Sequence, residues 1–236
     1  MLVNLLLPPI IIKLYKTIML RKTKLLSLLD QFERLPRAQH GLYKLVNDYK
    51  FDTVLDVGAG FGEHSQVLHD SGKTVWALDF GTSVYANTNF ESSDAIDKIY
   101  ANFYDVKFDR QFDCIWASHV LEHQPDPGLF IRKCAELTKI GGVIAITVPP
   151  LKHEIVGGHL TLWNAGLLLY QLAFNGIDCR DASILSHEYN ITVIVRNVKR
   201  KQVPLTYDNG DIDLLKEFLP EFIVEPFDGR IERYNW

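Results

Sequence analysis

The chain has 236 residues, 47% of them hydrophobic and 23% charged, with a formal net charge of −4. That length and apolar content favour one large α/β domain with extensions over two independent domains, and no tandem repeat or low-complexity tract interrupts it. Three cysteines, Cys114, Cys134 and Cys179, lack C-x-x-C spacing, which points to a reducing cytoplasm and small buried apolar roles, and argues against a structural zinc site.

The first stretch, MLVNLLLPPIIIKLYKTIMLRKTK, is not a secretory signal, because no positive charge precedes its apolar run and no small-residue cleavage site follows. Pro8-Pro9, Lys13 and Lys16 interrupt it too early for a spanning helix. From Pro9 a helix is expected with Ile10, Ile11, Leu14, Tyr15 and Ile18 on one face and lysines opposite. Residues 1–50 sum to +6 and the remainder to −10. A basic amphipathic arm on an acidic body suits peripheral contact with an anionic membrane through residues 1–24, at the inner face of a cytoplasmic membrane. The alternative is an arm that caps the active site or forms a homodimer contact. Nucleic acid is disfavoured, because the body is acidic and the basic residues sit on one short arm.

Thr53 to Val57 read as a buried strand and Glu63 to Asp70 as a helix, so the glycines of VLDVGAGFGEHS (residues 54–65) form the turn between them. Gly58, Gly60 and Gly62 let backbone N–H groups approach a ligand. A dinucleotide fingerprint, G-x-G-x-x-G, would place its third glycine one position later. Asp56, two residues before Gly58, would repel a pyrophosphate and attract an ammonium group, which favours a cofactor carrying an amino acid. TVWALD (74–79) is a second strand ending in Asp79, 21 positions after Gly58, where a ribose-binding acid is expected. A third strand should end near Ala101, followed by Asn102. FDCIWASHVLEHQPDP (112–127) supplies a fourth strand and its loop, a helix follows over Gly128 to Thr138, and KIGGVIAITVPP gives a glycine stop and a fifth strand. Residues 181–187 and 190–198 are expected to close the sheet as a pair.

The D-x-G-x-G-x-G turn, Asp79 and the fourth-strand loop resemble class I S-adenosylmethionine-dependent methyltransferases over about residues 50–200. The resemblance implies a Rossmann-like seven-stranded sheet, mostly parallel with the last strand antiparallel, and helices on both faces. It implies a domain over 49–200, an N-terminal extension over 1–48 and a C-terminal extension over 201–236. S-adenosyl-L-methionine would be the cofactor, bound by Asp56, Gly58, Ala59, Gly60, Gly62, Asp79, Phe80, Asn102, Phe103 and Ser118, with the Asn102 side-chain carbonyl accepting from the adenine amino group.

Methyl transfer is an in-line displacement that benefits from alignment and a base. Candidates for the base are His119 after the fourth strand, and His153 and His159 in LKHEIVGGHLTLW. For His119 the alternative is a residue that orients its loop or touches the cofactor, while His64 and His69 are expected on the surface or cap of the first helix. His153, Glu154 and His159 fit no strong metal-ligand spacing, and catechol-type members would place carboxylates after the fourth strand, so no metal is expected. Trp163 and Tyr170 are candidates for stacking on an acceptor or for plain core packing. The basic arm and the HLTLW loop look like features of surface-polysaccharide enzymes, so an O-methyltransferase acting on a carbohydrate or other small acceptor is the reading. A quinone or lipid methyltransferase, an NAD-linked oxidoreductase and a non-catalytic scaffold are the alternatives.

Overall fold

The structure, a computed structural model, describes residues 18–19, 29–82, 93–223 and 228–236. The expected amphipathic arm lies almost wholly outside these residues. Eight strands form one sheet in the order β3-β2-β1-β4-β5-β7-β6-β8. They are β1 (Thr53–Val57), β2 (Thr74–Asp79), β3 (Asp97–Tyr100), β4 (Phe112–Ser118), β5 (Thr138–Val148), β6 (Ser183–His187), β7 (Asn190–Arg196) and β8 (Arg233–Tyr234). The first five run parallel, while β7 pairs antiparallel with both β5 and β6. The eighth strand was not expected. It adds two residues to the outer edge, where Tyr234 faces Ile184 and Arg233 faces Leu185 in antiparallel register.

Period-two alternation sends neighbouring side chains of one strand to opposite faces, and the central strands are apolar on both. On one face Leu55, Ile115, Ala117, Ile144 and Ile146 pack with Phe130 and Ile131 of α3 (Pro127–Leu137) and Leu168, Leu169 and Leu172 of α4 (Ala165–Phe174). On the other, Val54, Cys114, Trp116, Val143 and Ala145 pack with Leu42 and Leu45 of α1 (Gln39–Asp48) and Val67 and Leu68 of α2 (Glu63–Asp70). The three cysteines are free and buried, and burial pushes their thiols up in pKa. α3 starts on Asp126, whose carboxylate accepts from Leu129 N–H, with Pro127 in the first turn. The glycines after it do not stop the helix. Gly141 and Gly142 lie within β5, where the pairing with β4 jumps from Phe112↔Thr138 to Cys114↔Val143.

The segments expected as extensions share the domain's own cores. Phe32, Leu35 and α1 belong to one cluster, and Leu219, Ile223 and Ile231 to the other. α1 lies close over the sheet, because a Cβ on Gly41 would sit 2.7 Å from Thr192 Oγ1 on β7. Leu45→Ala should therefore destabilise the protein by about 2–5 kcal/mol, measured by urea unfolding. A loss of a few tenths would make α1 an appendage. Among the described residues no helix is long and apolar enough to cross a membrane.

Candidate active site

The turn between β1 and α2 sits at the carboxyl ends of the parallel strands, the edge where open α/β sheets bind ligands. Gly58, Gly60 and Gly62 hold φ of 75°, 55° and 81°, a region that costs a residue with a Cβ. The Gly58 and Ala59 N–H groups donate to Leu78 O at 2.8 and 3.1 Å. Asp79 fastens the same turn from β2: its Oδ2 accepts from Gly60 N–H at 3.0 Å and its Oδ1 from Gly81 N–H at 2.9 Å. The carboxylate stays half-exposed, so lone pairs remain for vicinal hydroxyls. Phe80, the next residue, is 58% exposed and offers an open aromatic face. Ser118 closes β4 at the same edge, half-buried.

Three expected contacts need correction. Asp56 is buried, and its Oδ2 accepts from Ser65 Oγ at 2.6 Å. Burial pushes its pKa up to about 7, opposed by the Ser65 hydrogen bond and reinforced by the nearby Asp79 charge. A buried carboxyl with that affinity for a proton braces α2 against β1 and makes a poor counter-ion for an ammonium group. The folded pKa lies above the ordinary Asp value. The associated stability is therefore full below about pH 4 and is lost as pH rises through about 7. Asp56→Asn should flatten that part of the stability profile relative to the native chain, and parallel profiles from urea unfolding at a series of pH values would refute it. Asn102 already spends its side-chain carbonyl on Tyr104 N–H at 2.9 Å, which leaves its amide as a donor toward a ring nitrogen. Phe103 is buried against Phe130, with ring centroids 5.2 Å apart. It supports the site from within the core.

The histidines divide sharply. His119 takes a positive φ of 56°, and its N–H donates to Thr147 O at 2.8 Å. Its ring stacks on Tyr189, with Nε2 3.0 Å from Asn190 Oδ1 and Nδ1 3.3 Å from Glu122 Oε1. The side chain is only 6% exposed, and protein oxygens face both nitrogens. This geometry fits the alternative reading of His119, a residue that orients its loop, better than a base open to an acceptor. His153 is exposed on its loop. His159 is half-buried and packs edge-on to His123, centroids 5.0 Å apart, and burial lowers its pKa. His64 is no surface group: its Nε2 donates to Arg37 O, its Nδ1 accepts from Trp116 Nε1, and burial pushes its pKa down to about 4.

His159 lines a cavity of about 180 Å³ beside the end of β5, with apolar Pro150, Ile155, Val156 and Leu162, and with Lys152 and Tyr189. Trp163 borders the same cavity but is 2% exposed, with its Nε1 spent on Thr161 Oγ1. It packs in the core, as does half-buried Tyr170 against Phe174. Sequence reasoning missed Tyr189 and Asn190, and read Glu122 with His123 only as fixing the start of the next helix. The spacing of His119, Glu122 and His123 within one tight turn was the available signal for Glu122. It also missed the grouping of Glu122 and His123, rather than His153 and Glu154, with His159: the three ligand-bearing atoms lie within 4.8 Å of one another.

Residues 55–146 match the family described as "Methyltransferase domain". The ubiquinone biosynthesis O-methyltransferase of Pseudomonas paraeruginosa is 36% identical over 100 residues, 40% of this chain and 43% of its own length. That of Escherichia coli O127:H6 is 35% identical over 94 residues, 38% of this chain and 39% of its own. The chain thus matches about two-fifths of the length of these curated relatives. Among solved structures, human N-acetylserotonin methyltransferase in complex with SAM superposes with a TM-score of 0.55 at 15% identity, over 69% of this chain and 53% of that one. The Burkholderia thailandensis 1,6-didemethyltoxoflavin-N1-methyltransferase, with bound 1,6-didemethyltoxoflavin and S-adenosylhomocysteine, gives 0.55 at 17%, over 67% and 76%. The fold is that of the class I S-adenosylmethionine-dependent methyltransferases.

Proposed function

We propose that the chain is an S-adenosylmethionine-dependent O-methyltransferase whose acceptor is a small molecule with a hydroxyl on a largely apolar ring system. The observation that carries this reading is the juxtaposition of the glycine turn fastened by Asp79 with an apolar cavity reached by His159, at one edge of the sheet. S-adenosylmethionine supplies an activated methyl group on its sulfonium. The turn from Gly58 to Gly62 and Ser118 would hold its amino-acid portion by backbone approach. Asp79 would accept from the ribose hydroxyls, and Asn102 and Phe80 would bracket the adenine. The half-exposed Asp79 carboxylate and the unspent Asn102 amide are a donor and acceptor set that suits this ligand.

The cavity wall is mostly carbon, and Ile155, Leu160 and Leu162 beside it are 87%, 61% and 47% exposed. Such a surface gains by covering an apolar ring, and Lys152, Glu154, Thr161 and Tyr189 supply the polar groups that would orient it. That favours a phenolic or quinone-like acceptor over the carbohydrate expected from sequence. The names of the curated relatives point the same way. Calorimetry with S-adenosylmethionine, S-adenosylhomocysteine and NAD tests the cofactor. Mass spectrometry after incubation with prenylated catechols and with sugar nucleotides then tests the acceptor. Binding of NAD in place of S-adenosylmethionine would overturn the reading, and methylation confined to the sugars would return the acceptor to the carbohydrate class.

A further inference from the structure

Glu122 is fully buried in the short 3-10 turn after β4 (Leu121–His123), and among the described residues neither of its carboxylate oxygens has a partner in hydrogen-bond geometry. A buried carboxylate left without donors costs several kcal/mol. The groups around it are ring nitrogens: His119 Nδ1 at 3.3 Å and His123 Nε2 at 3.8 Å from Oε1, with a nitrogen of His159 completing the group inside 4.8 Å. The His123 ring is oriented by its Nδ1, which lies 2.7 Å from Gly158 O and donates there, so in the neutral ring Nε2 carries a lone pair on the side facing Glu122. A lone pair directed at a carboxylate is unfavourable unless a proton or a metal ion lies between them. A histidine whose far N–H is pinned by a backbone carbonyl is also the usual arrangement of a metal ligand.

We propose that Glu122, His123 and His159 bind one divalent transition-metal ion. Bonds of about 2.0–2.1 Å would draw the three ligand atoms in from their present spacing by side-chain rotation, with no change in the backbone. The backbone is already fixed there, because Leu160 N–H and Thr161 N–H donate to Glu122 O at 2.7 and 3.2 Å and clamp the two loops together. Two imidazoles and one carboxylate suit zinc, cobalt or iron better than calcium or magnesium, and three protein ligands leave coordination positions open. His119 stays outside the ligand set. It links Glu122 to Asn190, whose Oδ1 also accepts from Ala38 N–H at 3.0 Å. Because His159 lines the cavity, an ion held there would be within reach of an acceptor's hydroxyl and would supply Lewis acidity that lowers the hydroxyl's pKa. That last role rests on the O-methyltransferase reading, whereas metal binding itself does not.

The test uses the full chain, stripped with a chelator and titrated with Co²⁺ for visible absorption and with Zn²⁺ by calorimetry, while S-adenosylmethionine affinity is measured separately. One equivalent of each metal is expected. Glu122→Gln, His123→Ala and His159→Ala should each weaken binding by about 10²-fold or more, and His153→Ala should leave it unchanged. Circular dichroism of every variant establishes that it is folded, and Glu122→Gln conserves shape where alanine would leave a hole. A folded native chain that takes up neither metal stoichiometrically overturns the proposal. So does metal binding that persists unchanged in both Glu122→Gln and His159→Ala. Intact S-adenosylmethionine binding in either case would leave the methyltransferase reading standing.

Discussion

Gly58→Ala is expected to destabilise the domain by about 3 kcal/mol and to weaken S-adenosylmethionine binding at least tenfold. Two costs combine. The residue holds φ of 75°, and a Cβ there would stand 2.3 Å from Val120 Cγ2, so either the turn or the loop after β4 must move. These are the segments that bring the cofactor cradle next to the 3-10 turn of Glu122. The steric component is separable: Val120→Ala in the Gly58→Ala background should recover part of the stability, leaving the cost of the backbone conformation. Thermal unfolding and calorimetry on the four chains check it. Equal losses in the single and double variants would show that Val120 is not the obstacle.

Asp79→Ala should lower S-adenosylmethionine affinity by about 10²-fold or more, because one carboxylate serves two purposes. It accepts the Gly60 and Gly81 N–H groups that shape the turn, and under the proposed function it also accepts the ribose hydroxyls. Charge-assisted hydrogen bonds of this kind contribute about 1.5–3 kcal/mol each. Asp79→Asn separates the two, since its carbonyl keeps one acceptor and loses the charge. An intermediate affinity for the asparagine variant is the expected order, and native affinity in the alanine variant would remove Asp79 from the cofactor site.

The strand, turn and helix around the glycines were legible in the sequence because their signals are local. A strand, a glycine turn and a helix are contiguous, so β1, α2 and β2 begin and end where apolar runs and glycines put them, and the resemblance implied the mostly parallel sheet with an antiparallel strand near its end. What escaped were facts that depend on contacts across the fold. Asp56 reads as an exposed acid until Ser65 and the sheet bury it. For His119 the sequence left base and loop-orienting residue both open, and the contacts that bear on the choice come from Asn190, 71 positions away, and from Glu122. For Trp163 it left stacking and core packing open, and the choice depends on burial and on Thr161 taking its N–H. β8 pairs two residues at the end of the chain with β6, and a two-residue strand carries no periodicity to read.

The hydrogen bond from Ala38 to Asn190 spans 152 positions of sequence. The same amide oxygen that receives it also holds His119, which in turn abuts Glu122. The stretch just ahead of α1 is therefore tied to the loop after β4 as well as leading into the first helix. Under the proposed function, any event that pulls on that stretch, whether a surface engaging the basic residues upstream or a second protein gripping them, would have a route of three side chains to the acceptor cavity. A chain shortened past Ala38 would lose that restraint even with every strand of the sheet in place.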